Sequence, residues 1–194
     1  MGMSIRARRE REYQRRNQLI LDTARRLAEA EGWHAVTTRR LAEEIEYSQP
    51  VLYSHFHGKE AIVGAVALKG FEELTGTLRA ARKSADDPTA ALRAVIETYL
   101  DFAGANPALY SAMFELSTPL AFASAETPGP LIETFGELIA AVVAVAPAGD
   151  AELAAEVIWG ALHGMVVLER SGRLRPALMR ERVDLLLARF APEG

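Results

Sequence analysis

Residues 37–60 read TTRRLAEEIEYSQPVLYSHFHGKE, and this stretch decides the fold of the 194-residue chain. It predicts two short helices joined by a turn. Thr37 is a good N-cap for the first helix, because its side-chain oxygen can accept a backbone N–H. Apolar residues then recur at helical spacing, at Leu41, Ala42 and Ile45. The first helix therefore buries one face.

The second helix of this stretch follows abruptly. Ser48 can cap it, and Pro50 falls in its first turn, where no intrahelical N–H is needed. Leu52 and Phe56 stand four residues apart and can face inward. The outward face is then polar, aromatic and able to form hydrogen bonds, whereas a merely solvated face more often carries Glu and Lys. Its residues are Gln49, Pro50, Tyr53 and Ser54.

These residues resemble the N-terminal DNA-binding domain of the TetR (tetracycline-repressor-like) family of bacterial regulators. The resemblance covers about the first third of the chain. It rests on a helix ending at Glu31-Gly32-Trp33, on Thr37-Thr38-Arg39-x-Leu41-Ala42, and on Gln49-Pro50-x-Leu52-Tyr53-x-His55-Phe56-x-x-Lys59.

The resemblance implies a role for each matching residue. The second helix enters the major groove, where Arg39, Gln49 and Pro50 read bases. Phosphates are held by Thr38, Tyr53, His55 and Lys59, and we count Ser48 among the DNA-binding residues. Val51 and Ser54 occupy positions where relatives differ, so the operator sequence does not follow from the resemblance.

The charge distribution also distinguishes the first third of the chain from the rest. Residues 1–60 carry 11 basic and 9 acidic side chains, and residues 61–194 carry 11 and 17. We predict a DNA-binding domain over 1–60, with a basic arm over 1–16, and a helical regulatory and dimerisation domain over 61–194. The arm either lies along DNA phosphates or the minor groove, or is a disordered, solubilising terminus. Its arginines are Arg6, Arg8, Arg9, Arg11, Arg15 and Arg16.

Capping and breaking residues predict an all-α fold, because nothing in the chain alternates with a period of two. Gly32 ends the first helix. The regulatory domain is then predicted as a series of helices and connections. These are a helix over Lys59–Ser84, one from Asp87-Pro88 to Ala105, a short one from Asn106-Pro107 to about Leu116, a loop over 117–130, a helix over 131–145 closed by Pro147-Ala148-Gly149, one capped by Asp150 and ended by Ser171-Gly172, and a last one over about 176–190.

The segment Ala155–Leu168 is apolar almost all round, so it needs burial on more than one side. The economical second partner is another copy of the chain, and we predict a homodimer formed through residues 150–190. Small residues such as Gly160 and Ala161 leave room for a close approach of helices. The pattern Trp159-x-x-x-His163-Gly164 resembles the C-terminal domain of a TetR subgroup named after that triplet, although it could equally record packing.

Aromatic and methionine side chains recur on the helices of the regulatory domain. They either form plain core or line an apolar cavity for a small hydrophobic effector, as in relatives of known effector. Between residues 84 and 169 the only Arg or Lys is Arg93, so a neutral ligand fits better than a polyanion. A lone histidine such as His163 is more often a core residue than a ligand contact. The candidate ligand-binding residues are Phe71, Tyr99, Phe102, Tyr110, Met113, Phe114, Trp159 and His163.

Other function classes find no support in the sequence. The absence of cysteine removes disulfides, thiolate nucleophiles and cysteine metal sites. His55 and His57 point to different sides of a helix and cannot share a metal, and no phosphate loop or hydrolase motif appears. We expect no enzyme activity, no cofactor, no signal peptide or membrane span, and a cytoplasmic location. The predicted function is a DNA-binding repressor released by a hydrophobic effector; the alternative is an effector-independent architectural or occlusion protein.

Overall fold

The computed structural model describes residues 5–145, 150–175 and 177–190, and within these ranges every regular element is a helix. The predicted all-α class is therefore confirmed. A single 3-10 turn at Trp33–Ala35 follows the first helix. The helices are α1 (Ile5–Glu31), α2 (Thr38–Glu44), α3 (Gln49–His55), α4 (Lys59–Ser84), α5 (Pro88–Ala105), α6 (Pro107–Phe114), α7 (Gly129–Val145), α8 (Ala151–Arg170) and α9 (Met179–Phe190).

The helices form two compact units. The first unit extends to Gly70 and includes Asn106–Leu120; the second holds Phe71–Ala105 and the described chain from Ala121 onward. Helix α4 thus belongs to both units, and the boundary between the units falls after Gly70. The domain division after residue 60 stays a prediction.

Capping residues begin the helices where the sequence places them. The Thr37 side chain accepts a hydrogen bond from the Arg40 N–H (3.1 Å) and starts α2. Asp87 accepts from the Ala90 N–H (2.8 Å) and starts α5. Asp150 accepts from the Leu153 N–H (3.0 Å) and starts α8. These three caps are confirmed, since each satisfies an N–H that its helix leaves without an internal partner.

The first unit is organised around the apolar stripe of α1. Ile20, Ala24 and Leu27 of this stripe are buried, as are Leu41 of α2 and Leu52 of α3. Gly32 ends α1 with φ +84°, a conformation that favours glycine, so this prediction is confirmed.

The predicted basic arm is not a separate tail, because α1 already begins at Ile5. Side-chain pairs four residues apart support this early start. Arg16 donates to Glu12 (2.5 Å) and Gln14 donates to Glu10 (2.9 Å). The alternative of a disordered terminus is therefore wrong for residues 5–16.

Helix α6 belongs to the first unit and begins at Pro107 as predicted, but the group that caps it differs from the prediction. Asn106 occupies the N-cap position but makes no capping bond. Instead the Glu29 carboxylate accepts from the N–H groups of Ala108 (3.0 Å) and Leu109 (2.9 Å). Asn106 accepts from Arg25 (2.9 Å). The distant carboxylate replaces the local cap, because it can bind two of the orphan donors at once.

The second unit packs α7, α8 and α9 on α5. A polar clamp ties its part of α4 to α7, where the Glu137 carboxylate accepts from Arg79 (2.6 Å) and Arg82 (2.7 Å). Burial alone raises the pKa of Glu137, but the hydrogen bonds from the two arginines outweigh it, and this pKa lies below its usual value.

The last helix starts later than predicted, at Met179, because Ala177 has φ +58° and cannot continue a right-handed helix. Pro176 and the predicted turn Pro147-Ala148-Gly149 lie outside the described residues. Helix α8 ends at Arg170 before Ser171-Gly172, as predicted.

A close approach of α4 and α6 gives a test of the packing. A Cβ on Gly70 would lie 2.6 Å from Met113 Sδ and 2.8 Å from Leu109 Cδ1, whereas a Cβ on exposed Gly76 meets nothing within 4 Å. We expect Gly70→Ala to lower the free energy of unfolding by roughly 1–3 kcal/mol. Gly76→Ala should raise it by about 0.5–1 kcal/mol, since alanine favours the helix. Denaturant unfolding at one protein concentration measures both, and equal stabilities would contradict the packing.

Candidate nucleic-acid interface

The start of α2 presents one arginine to solvent and uses the next one internally. Arg40 donates both terminal nitrogens to the Glu31 carboxylate, at 2.8 and 2.6 Å. This fork lowers the pKa of Glu31. Arg39 is exposed, with Glu43 at 3.7 Å as its neighbour on the helix. The neighbouring Thr38 is half-buried. Arg39 is therefore the arginine of α2 that can reach a ligand.

Helix α3 turns its predicted outward face to solvent. Leu52 and the residue after the helix, Phe56, are buried and hold α3 against the core. Ser54 donates its hydroxyl to the Val51 carbonyl (2.6 Å), so this hydroxyl is used within the helix. The exposed residues of the face are Ser48, Gln49, Pro50, Tyr53 and Ser54.

The last residue of α3, His55, lies against α1. Its ring stacks on Tyr13, with ring centroids 4.3 Å apart and planes 21° apart. Burial, and the nearby Arg16 charge, lower the pKa of His55, which favours the neutral ring. Its Nδ1 atom is buried without a hydrogen-bond partner among the described residues. A phosphate contact by His55 stays a prediction.

Lys59, the first residue of α4, is directed toward the protein. Its ammonium donates to the Trp33 carbonyl (2.5 Å). An ammonium has three donors, so this bond leaves two for an anion. The predicted phosphate contact of Lys59 likewise stays a prediction.

The exposed candidates on α2 and α3 of the first unit make up the candidate surface. The base-reading candidates lie near the starts of α2 and α3, and at DNA interfaces base contacts and phosphate contacts have separate roles. The surface can donate and accept hydrogen bonds through Arg39, Gln49 and Tyr53. Among the described residues, no group of three or more His, Asp or Glu could hold a metal ion.

Sequence reasoning missed the residues that support this surface. Tyr13 stacks on His55, and Arg16 lies over the Tyr47 ring at 5.8 Å. Trp33 donates its indole N–H to the Ala108 carbonyl (2.7 Å), beside the Glu29 cap of α6. The one sequence feature that could have indicated these residues was Tyr13, a tyrosine within an arginine-rich stretch. The sequence around Glu29 gives no sign of its partner Ala108, which lies 79 residues away.

The candidate ligand-binding residues divide between the two units. Tyr99, Phe102 and Phe71 are buried in the second unit. There Trp159, half-buried, donates its indole N–H to the Tyr99 hydroxyl (3.2 Å) and lies 5.9 Å from the His163 ring. The other three candidates belong to α6 in the first unit; they are Tyr110, Met113 and Phe114.

The described arginines of the second unit up to residue 170 are engaged by the protein itself. Arg79 and Arg82 bind Glu137, and Arg93 binds Asp184 (2.7 Å). Arg170 donates to the Ala103 carbonyl (2.6 Å). An anionic ligand here would have to compete with these contacts.

Comparison with known proteins gives two family matches. Residues 92–190, about half the chain, match the family model described as Tetracyclin repressor-like, C-terminal domain. Residues 20–66 match the model described as Bacterial regulatory proteins, tetR family. The likeness of Trp159, His163 and Gly164 to a particular subgroup stays a prediction.

Individual relatives match over shorter regions. The HTH-type transcriptional activator FasR of Mycolicibacterium smegmatis is 30% identical over 102 residues, 53% of this chain and 46% of that protein. The nucleoid occlusion factor SlmA of Actinobacillus pleuropneumoniae is 30% identical over 93 residues, 47% of this chain and 46% of that protein. The matched region thus spans about half the length of these relatives.

The fold is shared with solved structures. One is the transcriptional regulator FadR from Bacillus subtilis, solved in complex with stearoyl-CoA. It has a TM-score of 0.70 at 16% identity, and the match covers 88% of this chain and 97% of that one. At this identity the likeness concerns the fold alone.

Proposed function

Because the chain belongs to the tetracycline-repressor family of bacterial regulatory proteins, we propose that it is a homodimeric repressor of transcription that binds a near-palindromic operator. The observation that carries the proposal is the exposed, hydrogen-bonding face of α3, held from behind by buried Leu52 and Phe56. Helix α3 enters the major groove, where Arg39, Gln49 and Pro50 read base edges. Bound at a promoter, the dimer excludes the transcription machinery.

The phosphate contacts orient this reading helix. Thr38 and Ser48 lie at the starts of α2 and α3, where helix N-termini favour anions. Tyr53, His55 and Lys59 lie beside them and contact the strands that border the groove. These contacts carry no sequence information, but they fix the register of α3 on the duplex. Action on DNA implies a cytoplasmic location and needs no catalytic chemistry.

Dimerisation uses the exposed apolar face of α8 and α9. Leu153 and Val157 of α8 and Leu185 of α9 are each more than half exposed in the single chain. Gly160 and Ala161 continue the α8 face with small side chains that let two helices approach closely. Soluble proteins seldom leave a large apolar patch exposed, and several large apolar side chains are exposed on these two helices. A second copy covers this face, and its two-fold symmetry gives the operator its palindrome.

A membrane is the other apolar environment that α8 could enter. Among the described helices, only α8 is long and apolar enough to cross a bilayer, and 22% of its apolar window is buried in the single chain. Ala155, Ile158 and Leu162 of α8 are buried in the core of the second unit. Helix α8 therefore packs against its own unit on one side, which favours a protein partner on the other.

A small hydrophobic effector releases the operator. The cluster of Tyr99, Trp159 and His163 supports this, because it combines apolar surface with polar groups that can orient a ligand. The engagement of Arg79, Arg82, Arg93 and Arg170 by the protein itself favours a neutral molecule. The effector acts only if it binds more tightly to the dimer conformation in which the spacing of the two α3 helices does not match DNA.

Sequence-specific binding is tested by selecting duplexes from a random library with the purified protein. Gln49→Ala and Arg39→Ala should each cost roughly 1–3 kcal/mol at particular base pairs. Tyr53→Phe should weaken binding to all sequences alike. Arg40→Ala is the matched control for Arg39→Ala, since it removes the Glu31 fork and should lower stability without changing base preference. Failure to enrich any duplex would contradict the proposed function.

Dimerisation is tested by placing a charge on the exposed face. We expect Val157→Asp and Leu185→Asp to give monomers by sedimentation, because a buried unpaired carboxylate is costly in an interface. Both side chains are exposed in the single chain, so each unit should stay folded. Ile132→Asp is the control, an equally exposed position on α7. A dimeric mass for both α8 and α9 variants would refute this interface.

Effector release is tested with two probes that share one alkyl chain, 1-dodecanol and dodecanoyl-CoA. We expect calorimetry to show binding of the alcohol with a negative heat-capacity change, and the alcohol to release DNA. His163→Leu should weaken that binding, whereas His34→Leu, exposed in the first unit, should not. Tighter binding of the polyanion would contradict a neutral ligand. Indifference to both probes would favour the alternative of an effector-independent occlusion protein, the role named for the relative SlmA.

A further inference from the structure

Helix α1 extends well beyond the core of the first unit. From Arg6 onward its first buried side chain is that of Ile20, and the side chains from Arg6 to Arg15 are exposed. The 15 residues from Ile5 to Leu19 rise about 22 Å at 1.5 Å per residue. This length corresponds to the rise of roughly six to seven base pairs of duplex at about 3.4 Å each. We call residues 5–19 the α1 extension.

Two aromatic contacts hold the α1 extension against the reading motif. The Tyr13 ring stacks on His55, the last residue of α3, and the Arg16 guanidinium lies over Tyr47 in the turn that precedes α3. Stacked rings and cation–π contacts each stabilise such an arrangement. The extension therefore has a defined position relative to α3.

The α1 extension carries an excess of positive charge. Six arginines and two glutamates lie between residues 6 and 16, a net charge of +4. Both glutamates already have partners, Glu12 in Arg16 and Glu10 in Gln14. The first turn of α1 holds no acidic side chain, so the positive pole of the helix adds to the repulsion. An anionic surface would relieve that repulsion.

The arginines divide into two faces of the helix. At about 100° per residue, Arg6 and Arg9 lie within roughly 40° of Tyr13, on the side that meets α3. By the same measure, Arg8, Arg11 and Arg15 lie about 140–160° away, on the opposite side. Together with Arg16, which contacts Tyr47, only the first pair lies on the side of α1 that meets the reading motif.

We propose that Arg6 and Arg9 bind phosphates of the DNA that flanks each half-site, outside the base pairs read by α3. This rests on the proposed DNA binding. His55 is the last residue of α3, at the end opposite Gln49 and Pro50, and in the proposed complex the phosphate strand that borders the groove runs beside it. From the Tyr13 stack, Arg9 and Arg6 lie about 6 and 10 Å farther along α1, so their contacts fall on flanking duplex. The operator footprint is therefore longer than its palindrome.

The test compares two duplexes that carry the same selected palindrome. One is trimmed to the palindrome, and the other has about eight added base pairs of mixed sequence on each side, enough to span the α1 extension at ~3.4 Å per pair. We expect the wild-type protein to bind the longer duplex more tightly. Arg6→Gln/Arg9→Gln should lose this preference and lower the salt dependence on the longer duplex by about 3–4 units per dimer, at ~0.9 per phosphate contact.

The control variant is Arg8→Gln/Arg11→Gln, which removes the same charge from the opposite face and should keep the preference for the longer duplex. Helicity by circular dichroism checks that both variants fold, since all four side chains are exposed. Equal losses in the two variants, or wild-type indifference to the flanks, would overturn the inference while DNA binding stands. If no duplex is selected at all, the proposed function itself fails.

Discussion

Two backbone N–H groups at the start of α6 depend on one carboxylate, that of Glu29, which lies 79 and 80 residues away in the sequence. A helix leaves its first N–H groups without internal partners, and a buried donor left unpaired costs about 1–3 kcal/mol. The indole of Trp33 adds a bond to the Ala108 carbonyl. These bonds fix α6 beside α1, and the absence of a side chain at Gly70 lets α4 close on its other side. The packing of the first unit follows from this arrangement.

The local signals in the sequence predicted most of the fold. Thr37, Asp87 and Asp150 begin helices because a cap acts on N–H groups two or three residues ahead, a range that the sequence displays directly. Asn106 carried the same signal and was overridden by Glu29. The sequence does not reveal this exchange of capping groups, because the competing carboxylate approaches the helix only after folding. The late start of α9 has a backbone cause, the positive φ of Ala177.

At the candidate site, too, local features could be predicted and contacts between distant segments could not. Helical periodicity predicted which residues of α3 face solvent, since the burial of Leu52 determines the exposure of Gln49 and Tyr53. The contacts of individual side chains could not be predicted. His55 and Lys59 match a family pattern, yet here one stacks on Tyr13 and the other binds the Trp33 carbonyl. These contacts join segments that are distant in sequence, so the spacing of residues along the chain cannot predict them.

Helix α4 carries glycines at positions 64, 70 and 76, and their surroundings differ. Gly64 packs on Pro119 and Gly70 on Leu109 and Met113, whereas nothing lies within 4 Å of a Cβ at Gly76. A glycine gives the backbone of a helix more conformational freedom, and we expect atoms packed against it to restrict that freedom. Considered as an elastic rod, α4 is braced at two of its weak points and unbraced at the third. Curvature imposed on this rod concentrates near Gly76, six residues past the boundary between the units.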